Sequence, residues 1–261
     1  MAKKIYIHTD LEGISGIDKG EMIERDHPDY RYCIEQLMTD TNAAIDGAFA
    51  GGASHVTVLD SHGGGGNFDL SLLDKRAEHD IKENGKWWGK LDDSYTGSFF
   101  IGAHAMAGTT NGFLDHTQSS EAVYNYYINN RKVGELAQWA IVCAHFDIPL
   151  IMASGDEAAM NEAVQFFNDI ETAAVKRGIS RNRARLTPYD DAVERIRAAA
   201  KNAVEKTPPI ACFKPLLPME LKIEFTRSDY CEMHMAPHTR NERLDARTLR
   251  KTTDCYLDFW F

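Results

Sequence analysis

KKIYIHTDLEG, residues 3–13, decides how this chain folds. Ile5, Ile7 and Thr9 alternate with Tyr6, His8 and Asp10, the two-residue period of a strand. The run ends in two carboxylates, Asp10 and Glu12. If the chain stays extended they point the same way, because side chains two apart share a face. Two more apolar runs end in similar residues. HVTVLDSH (55–62) leads into Asp60 and His62, and SFFIGAHA (98–105) leads into His104. In α/β folds, ligands bind just outside the carboxyl ends of the strands. Carboxylates and imidazoles at three such ends point to a metal site, and carboxylate with imidazole suits zinc. A metal-dependent hydrolase is the leading reading.

Working outward, residues 29–49 follow a helical pattern that Gly51-Gly52 closes. His55–Asp60 is the next strand, so the first unit is a parallel strand–helix–strand crossover. Residues 70–88 read as irregular or briefly helical. Strands are predicted at 98–104, 123–128, 148–154, 172–176 and 221–225, and helices at 133–146, 158–167 and 188–206. Thr187 is the expected N-cap of that last helix, with Pro188 at its first position. Residues 244–261 are ambiguous. The alternation predicts an α/β fold with a mostly parallel sheet and helices on both faces. A smaller C-terminal α+β subdomain is expected, dividing the chain into a metal-binding domain, 1–160, and residues 161–261.

The 261 residues are enough to bury a real core. A net charge of −10 argues against a nucleic-acid partner. The most apolar long stretch, WAIVCAHFDIPLIMA, is broken by His145, Asp147 and Pro149, so no membrane span is expected, and the start does not read as a signal peptide. Five cysteines without a CxxC pair read as free thiols in a reducing cytoplasm.

Each site motif also has an ordinary reading. A lone DxE is usually a solvated loop or a cap, and a lone histidine at a strand end is more often a hydrogen-bonded structural residue. Repetition over three strands raises the odds. Asp115-His116 lies in a Gly/Thr-rich loop, where His116 is either a surface histidine or a general acid/base reaching across a cleft. Glu135 opens a helix, so it either complements the helix dipole or is a further metal ligand. His8, His27, His145, His234 and His238 read as structural or solvated. Gly63–Gly66 lacks the Lys-Ser/Thr of a phosphate loop and reads as flexible access to the site.

HTDLEGISG, VTVLDSH, FFIGAHAMA, FLDHT, INNRKVGELAQWA, IPLIMASGD and ETAAVKRGISR occur in this order to about residue 190. With them the chain resembles the M55 metallopeptidases, whose founding activity is a D-aminopeptidase. The resemblance implies two zinc ions in one site. It implies Asp10, Glu12, His62, His104 and Glu135 as ligands, with Asp10 bridging, and His116 as the catalytic histidine. It also implies a homo-oligomer, a decamer of stacked rings. GGGG after His62 departs from the better-known members, which makes metal binding a safer inference than D-stereospecificity.

The expected function is a zinc-dependent aminopeptidase that hydrolyses short peptides or aminoacyl amides, with D-residue specificity left open, by water activated at two metals and with a catalytic histidine. The alternatives are another metal-dependent amidase or phosphoesterase, and a non-enzymatic α/β binding or scaffold protein. Trp87-Trp88 and Phe259-Trp260-Phe261 look exposed and suggest an interface.

Overall fold

The computed structural model describes residues 2–82, 86–207, 211–236 and 239–261, so His238 lies outside the described residues. In chain order the first half holds β1 (Lys3–Thr9), α1 (Tyr30–Ala50), β2 (Ala53–Asp60), β3 (Glu78–Asp80), β4 (Gly97–Ala103), β5 (Val123–Ile128), β6 (Arg131–Lys132) and α2 (Glu135–His145). Then come β7 (Leu150–Asp156), α3 (Glu157–Phe166), β8 (Glu171–Ser180), β9 (Arg183–Leu186), α4 (Tyr189–Lys206), β10 (Met219–Phe225), α5 (Ser228–Met233), β11 (Glu242–Arg243) and β12 (Thr248–Thr253).

Seven strands form one sheet in the order β3-β2-β1-β4-β7-β8-β9. Every pairing in it is parallel except β8 with β9. The chain leaves β1 toward β2 and β3, then crosses back to lay β4 on the other side of β1. That reversal is the switch point at which open α/β sheets bind ligands.

The period-2 reading of β1 explains how the sheet is covered. Ile5 and Ile7 join Val56, Val58 and Ile101 beneath α1 and α4, packed against Leu37, Ile45 and Ile196. Tyr6 points the other way, with Leu59, Phe100 and Ala153, against Trp139 of α2 and residues of the second sheet. Burying each large aliphatic side chain contributes about 1.5–3 kcal/mol. Helices therefore cover both faces, as the alternation predicts.

The second sheet, β11-β12-β10-β5-β6, is antiparallel and carries α5 nearby. MELKIEF of β10 alternates buried and half-buried residues, the signature of a strand with one wet face. Each sheet takes strands from both sides of residue 160. β8 and β9 belong to the first, and β5 and β6 to the second.

Some local expectations change. Helix α4 begins at Tyr189 and Pro188 is its cap, because the backbone N–H of Thr187 is held by the Val175 carbonyl at 3.1 Å. Helix α2 begins at Glu135 rather than 133, since Val133 N–H donates to the Tyr126 carbonyl. The ambiguous C-terminus forms β12 and then a coil whose Phe259 is fully buried. Trp87, Trp88 and Phe261 pack partly buried on the same core, so of the suspected aromatics Trp260 alone is exposed, at 45%. The chain shields this cluster itself. No helix among the described residues is long and apolar enough to cross a membrane.

Candidate metal centre

The chain does not turn away after β1. Asp10 N–H donates to the Ile101 carbonyl and Gly13 N–H to the Gly102 carbonyl, both at 2.8 Å, so residues 10–13 lie along the end of β4. A β-carbon at Gly13 would stand 2.1 Å from the Ala103 carbonyl oxygen, so only glycine permits this approach. Asp10 and Glu12 are thereby aimed at one side, as the two-residue spacing predicts. From below, the buried Lys176 donates to the Glu12 and Ile17 carbonyls, each at 2.8 Å. Burial pushes the Lys176 ammonium down to about 7.

His62 leaves β2 through a short turn. Its Nδ1 lies 3.0 Å from both Asp10 Oδ1 and Glu12 Oε2. The following loop is formed rather than loose. Gly63–Gly66 all have positive φ, 54–92°, which side-chain-bearing residues rarely adopt. Asp60 fixes the loop by accepting from the Asn67 side chain at 2.9 Å and Phe68 N–H at 3.2 Å. Asp60 therefore supports the turn and stands outside the ligand cluster.

His104 follows β4 directly and is buried. Its Nδ1 must donate to the Ala105 carbonyl at 3.1 Å, because a carbonyl can only accept. That leaves the Nε2 lone pair facing inward, 3.3 Å from Asp10 Oδ2 and 3.6 Å from Glu135 Oε1. His104 Nε2 is buried and has no hydrogen-bond partner. Glu135, at the first position of α2, is held by Gln118 N–H at 2.6 Å.

His116 enters the same group. Its ring stacks on His104, centroids 3.9 Å apart, and its Nε2 is 3.7 Å from Glu135 Oε1. His116 thus touches His104 directly and also lines the cavity into which both triads open.

Two triads result, Asp10–Glu12–His62 and His104–His116–Glu135, each with its ligand atoms within 4.8 Å of one another. Asp10 connects them, one oxygen toward each. A divalent ion bound at about 2.0–2.2 Å in tetrahedral geometry separates its ligand atoms by roughly 3.3 Å. The 3.0–3.7 Å spacings and the orphaned His104 Nε2 fit such an ion. The carboxylates draw positive charge to this point, which either protons on the histidines or a divalent ion would supply. Burial disfavours the charged form of each group here, and mutual attraction overcomes it. Glu12 and Asp10 hold His62 up to about 11, Asp10 and Glu135 hold His104 well above its ordinary range, and the two histidines hold Asp10 well below its own.

The triads open into a cavity of about 600 Å³. Sequence reasoning missed several of its walls. His8 stacks on Trp139 at 4.3 Å, and burial lowers it to about 3. Its position two before Asp10, on the same face, was a usable signal. Lys82, Trp87 and Gln138 carried none. Of the histidines set aside, His27 accepts from Asp29 N–H, His145 packs on Phe146 and His234 stacks on Phe225. All five cysteines are free thiols.

A solved structure described as the Zn-dependent D-aminopeptidase DppA from Bacillus subtilis, a self-compartmentalizing protease, superposes with a TM-score of 0.91. It is 28% identical, over 98% of this chain and 93% of that one. A curated D-aminopeptidase from Bacillus subtilis (strain 168) is 32% identical over 235 residues, 88% of this chain and 84% of the relative. The family model for M55 peptidases, described as D-aminopeptidase, matches residues 3–260. Fold, site geometry and sequence lead to one conclusion: the chain belongs to the M55 peptidase family.

Proposed function

We propose that this protein is a zinc-dependent aminopeptidase that hydrolyses short peptides with an N-terminal D-residue, using two zinc ions per chain. The observation that carries the reading is Asp10, whose Oδ1 lies 3.0 Å from His62 and whose Oδ2 lies 3.3 Å from His104. A carboxylate shared in this way suits a bridge between two ions. Glu12 and His62 would hold one, and His104 and Glu135 the other. The likeness to Zn-dependent D-aminopeptidases supports the metal and the stereochemistry.

Bound there, the metal centre supplies Lewis acidity and a water activated near neutral pH. The chain supplies the rest. His116 Nδ1 donates to the Leu114 carbonyl at 2.8 Å, which fixes the proton on Nδ1 and leaves Nε2 as the basic nitrogen of the neutral ring. His116 lines the cavity, where Nε2 can take a proton from the attacking water and return it to the leaving amine. The carboxylates of the cavity, including Glu121, suit a cationic α-amine. Trp87, Trp139 and Trp260 give the same cavity an apolar wall for a side chain.

The protein is proposed to assemble as a decamer of stacked rings in the cytoplasm. Likeness to a self-compartmentalizing protease supports assembly, and five free thiols fit a reducing compartment. A panel of L- and D-aminoacyl amides, assayed with metal-free and zinc-loaded protein, tests the activity. Zinc-dependent release from D-substrates is expected, and turnover unaffected by metal removal would overturn the proposal.

A further inference from the structure

Among the described residues that line the cavity, Lys82 is the one lysine or arginine. It follows β3, and its Nζ donates to the Ser61 carbonyl at 3.0 Å. An ammonium carries three N–H donors, so two have no partner among the described residues. Burial lowers the Lys82 ammonium from its ordinary range, opposed by the charges of Asp60, Asp10 and Glu135, none of them within ion-pair distance. Clipping a loop to one carbonyl does not require a half-buried cation, because a neutral donor does this without the desolvation cost.

Charge accounting points the same way. Asp10, Glu12 and Glu135 bring three negative charges to the two triads. Two divalent ions would bring four positive ones, and Lys82 adds another beside them. Against these stand the three triad carboxylates and Glu121 on the cavity wall, so the loaded cavity holds one more positive charge than negative, and an anionic group on the substrate balances it. A cavity of about 600 Å³ is the size of a small-molecule site, in which the two ends of a short peptide both meet the walls.

We propose that Lys82 is a specificity-determining residue that binds the C-terminal carboxylate of a dipeptide-length substrate. This rests on the aminopeptidase reading above. The α-amine lies among the acidic groups, the scissile amide lies at Asp10, and the carboxylate reaches Lys82. The enzyme therefore favours free-acid dipeptides over the same dipeptides with an amidated C-terminus.

The test uses zinc-loaded full-length protein and a non-hydrolysable reduced-amide dipeptide, prepared as the free acid and as the C-terminal carboxamide. Calorimetry should show wild type binding the acid about ten- to a hundredfold more tightly, the range for a charge-assisted hydrogen bond. Lys82→Met should bring the ratio close to one by weakening the acid and leaving the amide unchanged. Lys82→Arg should keep most of the preference. Hydrolysis measured in parallel should place the Lys82→Met loss in KM for free-acid dipeptides and leave aminoacyl anilides unaffected. A wild-type ratio near one overturns the proposal even if Lys82→Met does not fold. A ratio that survives in Lys82→Met, or an equal fall in kcat on acids and amides, overturns it too. Failure of the aminopeptidase reading looks different: wild type would cleave no aminoacyl substrate, whatever the calorimetric ratio.

Discussion

His104 and His116 stack face to face, 3.9 Å between centroids and 10° between planes, with Glu135 Oε1 within 3.7 Å of both Nε2 atoms. A metal held by His104 would therefore sit directly beside the His116 ring, which keeps that ring's Nε2 within reach of the same reacting groups. His116→Ala should lower turnover by about a hundred- to ten-thousandfold, the usual worth of general acid–base assistance. Its zinc content should stay at the wild-type value. Zinc analysis and turnover on the same preparation decide the matter, since loss of metal would make His116 a ligand instead.

Lys176, itself buried, supports Glu12 from beneath the sheet end through two carbonyls. Lys176→Met leaves both carbonyls buried without a donor, at about 1–3 kcal/mol each. Thermal unfolding should shift down by several degrees, and activity should fall because residues 12–17 lose their anchor. An unchanged melting temperature would show that the loop is held by other contacts, such as Ser15 to Asp40.

Removing metal leaves the buried carboxylates of Asp10 and Glu12 with only the histidines to balance them. A ligand that binds only the folded state stabilises it by about 2.7 kcal/mol at a hundred times its dissociation constant. Chelated protein should therefore melt lower than zinc-loaded protein, and zinc should restore both stability and turnover. A melting temperature independent of zinc would count against the site.

Assembly should be visible by light scattering at micromolar concentration as a mass many times the 29.3 kDa of one chain. A monomer at that concentration would contradict the proposed ring. The buried position of Phe259 means that disrupting the C-terminal aromatics should destabilise the single chain as well as any interface.

What the sequence made legible were features carried by short stretches. The apolar runs before Asp10, His62 and His104 marked both the strands and the candidate site, because a parallel sheet buried on both faces writes itself as near-continuous hydrophobic segments. The second sheet was hidden because β5 pairs with β10, about 90 residues later, and no local pattern names a partner that distant. His116 was legible as a candidate but not as a neighbour of His104. Its placement depends on how residues 105–117 fold back, with His116 N–H on the Ala105 carbonyl and Phe113 N–H on Asp156. Lys82 and Trp87 reach the cavity from an irregular segment with no periodicity to read. The aromatics misled because a short aromatic run does not distinguish an interface from a segment packed on the chain's own core.

Asp10 is proposed to join two metal sites. The most direct measurement is an anomalous difference map at the zinc absorption edge, from crystals of the zinc-loaded protein and of Asp10→Ala. Two peaks are expected in the wild type on either side of the Asp10 carboxylate, one against Glu12 and His62 and one against His104 and Glu135. At least one of them should vanish in Asp10→Ala. A single peak in the wild type, or two that persist unchanged without Asp10, would contradict it.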